Sequence, residues 1–131
     1  MQDDGIVAAA LELLEIAEVA RLLSQGGGDA FTPAEQAYAR SKVDPERRLA
    51  ARLAAKRGAL KLLGGGLLES DVEVMRGRGG PPWIRLSERA AERLQACGAT
   101  RVLVSLTHGE THAAASVLLL RDPPRGTGCG S

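Results

Sequence analysis

Residues 44–66, "DPERRLAARLAAKRGALKLLGGG", decide how this chain is read. Asp44 stands where a cap is needed, Pro45 takes the first helical position, where its missing N–H costs nothing, and Gly64 supplies the stop. The Ala, Leu, Arg and Lys between them favour helix. Arg48, Arg52 and Lys56 recur every four residues and share one face, and Arg57 and Lys61 form a second such pair about 100° round the helix. Like charges at this spacing weaken an isolated helix by roughly 0.2–0.5 kcal/mol per pair. The row is therefore either a solvated face or a site where Arg and Lys hold phosphate oxygens. Gly58 in mid-helix costs about 1 kcal/mol against Ala, which predicts a neighbour packed close to the backbone there.

Working outward, "FTPAEQAYARSK" carries a second helix start, with Thr32 as N-cap, Pro33 at the first position and Glu35 completing a capping box. Residues 6–24, "IVAAALELLEIAEVARLLS", suit two readings. Leu13, Ile16, Ala20 and Leu23 fall at helical spacing, yet the first half reads equally well as a buried strand. Beyond the long helix, "DVEVMRG" alternates as a strand and "GRGGPPWIRL" turns into another. Ser87 caps a helix "ERAAERLQACG" that Gly98 ends, and "RVLVSLTHG" with "THAAASVLLLR" form a hairpin through Gly109-Glu110. Helices gathered in the first half and an antiparallel meander in the second predict an α+β fold.

A chain of 131 residues is expected to form one domain over residues 1–121, with a disordered tail, "DPPRGTGCGS", over 122–131. Its 44% hydrophobic and 25% charged composition is that of a globular protein, and a net charge of +1 gives no global pull toward nucleic acid or membrane. Phe31, Tyr38 and Trp83 are the whole aromatic supply, too few for a base-stacking platform. No apolar run reaches the length of about 18 residues that a membrane span requires. Asp3 and Asp4 stand where a secretion signal would be basic, and Cys97 and Cys129 lack metal-like spacing, so a reducing cytoplasm is expected.

Three smaller features carry chemistry. "LLGGGL" after the long helix is either a C-cap or a phosphate-approaching turn, with no Gly-Lys-Ser/Thr to strengthen the second reading. His108 and His112 flank Glu110 across the hairpin turn and are candidate metal ligands, a candidate general base, or exposed turn histidines. Glu12 and Glu15 lie in an apolar segment, and one drawn inward would need a cation such as Arg57 or Lys56.

Taken together, "ELLEI", "FTPAEQAYA", "LAARLAAKRGALKLLGGG", "DVEV", "GGPPWIRL" and "VSLTHGETHAAASV" stand in an order that resembles the holo-acyl-carrier-protein synthases, the small phosphopantetheinyl transferases, over roughly residues 5–120. The resemblance implies an antiparallel sheet packed on the long helix, and a homotrimer with coenzyme A in clefts between neighbours. It implies transfer of phosphopantetheine from coenzyme A to a serine of an acyl carrier protein, with Mg²⁺ held by an Asp of the first motif and a Glu of the long helix. Carried over, Arg52, Lys56, Lys61, Gly64, Gly66 and Ser105 are expected to bind the cofactor, and Glu12, Arg57 and His108 to stand at the catalytic positions.

The departures fall on the metal site. Glu12 replaces the aspartate, and it remains the single candidate ligand for Mg²⁺. Arg57 replaces the glutamate, a local change of two charge units that repels a hard cation. Arg57 is expected either to pair with Glu12 and close the site or to meet the pyrophosphate in the metal's stead. Three functions follow. One is a homologue that binds coenzyme A or the carrier protein without ordinary Mg²⁺-dependent transfer, redirected to a carrier-bound intermediate of polyketide or fatty-acid assembly with His108 or Glu12 as acid–base group. The others are a working transferase with a rebuilt metal site and a non-catalytic partner subunit.

Overall fold

The computed structural model describes residues 5–123. The two-way reading of residues 6–24 resolves into both forms in succession: strand β1 (Gly5–Glu15) runs directly into helix α1 (Ile16–Ser24). The strand half is fixed from a distance, because β1 pairs antiparallel with β5 (His112–Arg121) along nearly its whole length, from Gly5 opposite Arg121 to Glu15 opposite His112. Strand β4 (Arg101–His108) pairs with the other edge of β5, giving a three-stranded sheet in the order β1-β5-β4. A separate hairpin is formed by β2 (Val72–Arg76) and β3 (Pro82–Leu86), and α4 (Glu88–Ala96) follows with Ser87 as its cap. The fold is the expected α+β arrangement.

The helix α3 (Pro45–Leu63) lies at the centre, against β5, β1, β4 and β2. Its alanines explain the depth of that packing. Ala50, Ala51, Ala54, Ala55 and Ala59 are all buried, and their small side chains let the helix axis approach the sheet on several sides at once. Gly58 meets the expected close neighbour: a Cβ there would lie 3.0 Å from Val117 Cγ2 on β5 and 3.4 Å from Glu12 Cγ on β1.

Helix α2 (Pro33–Arg40) starts with the expected capping box, Thr32 accepting from Glu35 N–H while Glu35 accepts from Thr32 N–H. Asp44 departs from expectation. Its carboxylate does not cap α3 but accepts from Arg48 Nε at 3.1 Å. Asp122, where the expected tail begins, accepts from Thr100 Oγ1 at 2.9 Å and from Arg101 Nε at 3.0 Å. Residues 124–131, Cys129 among them, lie outside the described residues, and Cys97 is a free thiol.

Candidate functional site

The cationic row of α3 does not form one surface. Arg48 is part-exposed, Arg52 is sunk to 2% exposure, and Lys56 is fully buried. Lys56 Nζ donates to Glu35 Oε1 at 2.5 Å, and the same carboxylate accepts from Thr32 N–H at 2.8 Å and Val74 N–H at 2.7 Å. Three donors from α3, the α2 cap and β2 satisfy a carboxylate that could not otherwise be buried as an ion. Lys56 was expected in the cofactor grip. Here it pairs with Glu35 and has no exposed surface in this chain.

Arg52 has a different environment. Its guanidinium carbon lies 4.1 Å from the centre of the Tyr38 ring, and its Nη1 makes only a long contact, 3.5 Å, with the Arg48 carbonyl. Its Nε is buried with no partner, and so is Nδ1 of His108. Both residues line one cavity of about 270 Å³ together with Arg48, Arg76, Ala51, Leu106 and Thr107. Three arginines and a histidine thus line one small space, and these are residue types that hold phosphate oxygens by charge-assisted bonds. Burial lowers the Arg52 pKa, with Tyr38 opposing that shift. Burial also pushes the Tyr38 phenol up, but the field of Arg52, Lys42, Arg76 and Arg48 outweighs it and holds the phenol below its ordinary range.

A second cationic locus lies farther along α3. Arg57 lies five positions beyond Arg52, a rise of about 7.5 Å and a rotation of about 140°, so the two loci occupy different faces of the helix. The alternation of β1 puts Glu12 on the side facing α3, and the Glu12 carboxylate, 11% exposed, accepts from Lys61 Nζ at 2.7 Å. Arg57 does not pair with Glu12. Its Nη1 lies 3.4 Å from Glu18 Oε2 on α1. Arg57 and Lys61 edge a groove whose other walls are Leu60, Gly64, Gly65 and Leu67.

Gly64 and Gly66 have φ of +102° and +90°, values that strain any side chain, and the turn they make is clamped by Arg93, which donates to the Leu63 and Gly65 carbonyls at 3.1 and 2.9 Å. Sequence reasoning missed Arg93, because nothing in "ERAAERLQACG" marks one arginine as aimed at another helix's end.

Strand alternation sends Ser105 and His108 to opposite faces of β4. Ser105 lies on the open face of the sheet, opposite Ser116, among the exposed Leu11, Leu13 and Leu103, away from the Arg52 cavity. His112 is exposed beside the Thr111 hydroxyl, and among the described residues no three His, Cys, Asp or Glu side chains converge as metal ligands. None of the described helices is long and apolar enough to cross a membrane.

No model of a known protein family matches the chain. Individual proteins do. A holo-[acyl-carrier-protein] synthase of Koribacter versatilis is 36% identical over 122 residues, covering 87% of this chain and 98% of the relative. One from Moorella thermoacetica is 35% identical over 120 residues, covering 87% and 94%. Among solved structures, the acyl carrier protein synthase of Mycobacterium tuberculosis matches with a TM-score of 0.71 at 33% identity, over 91% of this chain and all of that one. The Helicobacter pylori holo-[acyl-carrier-protein] synthase, solved in complex with coenzyme A, matches in fold with a TM-score of 0.72 at 19% identity, over 86% of this chain and 99% of that one. Identity at this level along almost the full length of these relatives, on a shared fold, establishes that the chain belongs to the holo-[acyl-carrier-protein] synthase family.

Proposed function

We propose that this protein binds coenzyme A through its phosphates, engages an acyl carrier protein, and does not carry out ordinary Mg²⁺-dependent phosphopantetheine transfer. The observation that carries the first part is the Arg52 cavity, a space lined by Arg48, Arg52, Arg76 and His108. Coenzyme A is the ligand class because the Helicobacter pylori relative was solved with it. The second part rests on the donor set at the expected metal position. Mg²⁺ takes hard oxygen ligands in near-octahedral array. The Glu12 carboxylate is already held by the Lys61 ammonium, and Arg57, paired with Glu18, adds a guanidinium at the position of the second expected ligand. These residues do not fit the ion, and no step of the reading runs through it.

The open sheet face supports a homotrimer. Leu11, Leu13 and Leu103 are 75%, 65% and 44% exposed, and between them the sheet shows Ser105, Ser116, Ala114 and Leu118, with no charge at the centre. An uncharged face of this kind suits burial against further copies. Assembly also answers the separation of the two cationic loci, since loci on different faces of one α3 can meet across a junction between neighbours. Within such a cleft the Arg52 cavity would hold one phosphate group and the Arg57–Lys61 groove another.

The test is direct. The protein is incubated with coenzyme A, Mg²⁺ and several apo carrier proteins, and coenzyme A binding is measured by calorimetry in parallel. The reading expects binding, lost in Arg52→Gln, and carrier proteins of unchanged mass. Full conversion of a carrier to the phosphopantetheine-bearing form would replace it with the second reading, an active transferase with a rebuilt site, which the Arg57–Lys61 cation pair favours. Binding of a carrier protein without coenzyme A would leave the non-catalytic partner.

A further inference from the structure

We propose that Arg57 and Lys61 form a metal-independent diphosphate site, in which Glu18 is an exchangeable counter-ion that the ligand displaces. The inference rests on the reading that the protein binds coenzyme A.

Its first ground is the looseness of the Arg57–Glu18 pair. Charge-assisted N–H···O bonds settle at about 2.7–2.9 Å, whereas this contact is 3.4 Å, between side chains 36% and 43% exposed. A guanidinium carries five N–H donors, and this one spends a single long contact on Glu18. A part-exposed pair held by one contact this long contributes little to stability, so releasing it costs little.

The second ground is Lys61. Its side chain is 67% exposed, and one of its three donors holds Glu12 at 2.7 Å. Glu12 is mostly buried and keeps that bond, while two ammonium hydrogens remain for a ligand. Arg57 and Lys61 are four residues apart on one helical face and edge the same groove.

The third ground is chemical. A diphosphate bridging these residues meets a planar fork and a point charge, the two modes by which proteins grip phosphate without a metal. Leu60, Leu67 and the side-chain-free Gly64 and Gly65 line the rest of the groove, leaving room for the gem-dimethyl group with which the pantetheine arm begins beside the diphosphate. Glu18, once displaced, has solvent to return to. The exchange makes and breaks no covalent bond.

Calorimetric titration with coenzyme A in Mg²⁺ and in EDTA tests the proposal. The wild-type protein is expected to bind with the same affinity in both. Arg57→Gln should lose about tenfold or more in both buffers, the usual effect of removing a charge-assisted contact. Glu18→Gln should bind more tightly than wild type, because the competing carboxylate is gone. Arg57→Glu should bind better in Mg²⁺ than in EDTA. Arg57 is part-exposed, and thermal melts of the variants close to wild type keep the comparison to ligand binding. Wild-type affinity that collapses in EDTA would overturn this inference and leave the coenzyme A reading standing. Unchanged affinity in Arg57→Gln, or weakened affinity in Glu18→Gln, would overturn it too. Absence of coenzyme A binding in both buffers would overturn both readings.

Discussion

Replacing Lys56 by Met separates a structural role from a binding one. The substitution removes the ammonium that Glu35 contacts at 2.5 Å and leaves a fully buried carboxylate with two backbone donors, from Thr32 and Val74. Breaking a buried pair by removing one partner costs about 3–5 kcal/mol, because the remaining charge has no water to retreat to. The two surviving amide bonds place Lys56→Met at the lower end of that range. For a chain of this size each kcal/mol lowers the melting temperature by roughly 3–4 °C, so a fall of about 10–15 °C is expected. Differential scanning calorimetry at fixed protein concentration measures it, since the proposed assembly would make the melting point depend on concentration. The double variant Lys56→Met with Glu35→Gln should recover part of the loss, because no buried ion remains. A melting point within about 2 °C of wild type, joined to a tenfold loss of coenzyme A affinity, would refute the reasoning. Lys56 would then be a ligand-binding residue.

Three more perturbations bear on other parts of the fold. The Arg89 guanidinium holds Asp71 well below the usual carboxylate range, helped by Leu68 N–H and Ser87 Oγ against the opposing effect of burial. A depressed carboxylate contributes stability above its ordinary pKa of about 4 that is lost as pH falls toward the native value, so Asp71→Asn should flatten the acid limb of stability against pH. Gly58→Val should cost about 1–3 kcal/mol in denaturant unfolding, since its Cβ alone would press Val117 at 3.0 Å and Glu12 at 3.4 Å. Leu13→Lys, on the open sheet face, should shift sedimentation from the proposed trimer to monomer without unfolding the chain; an unchanged sedimentation coefficient would contradict assembly through this face.

The capping signals at Thr32-Pro33-Glu35, the long helix and the β4–β5 hairpin are local, and for that reason they are legible in the sequence. The strand–helix choice in residues 6–24 is not, because Ala and Leu support either and the decision comes from β5, about a hundred residues away. The same limit governs the cations. A period of four places Arg48, Arg52 and Lys56 on one face, but it cannot tell a face turned to solvent from one turned inward.

Glu35 decides that question for Lys56, from 21 residues back in the chain, and the sequence marks Glu35 only as half of a capping box. Arg57 shows the converse case. Its foreignness to a metal site is visible in the residue itself, whereas its partner, Glu18 in place of Glu12, depends on how α1 folds back beside α3.

The central claim is that the site handles phosphate with cations of the chain's own and not with Mg²⁺. Its most direct test sets wild type beside the double variant Arg57→Glu with Glu12→Asp, each given coenzyme A, Mg²⁺ and a panel of apo carrier proteins, and reads carrier mass intact. The account predicts no phosphopantetheine increment with wild type and a Mg²⁺-dependent increment with the double variant. Robust modification by wild type that stops on adding EDTA would contradict it.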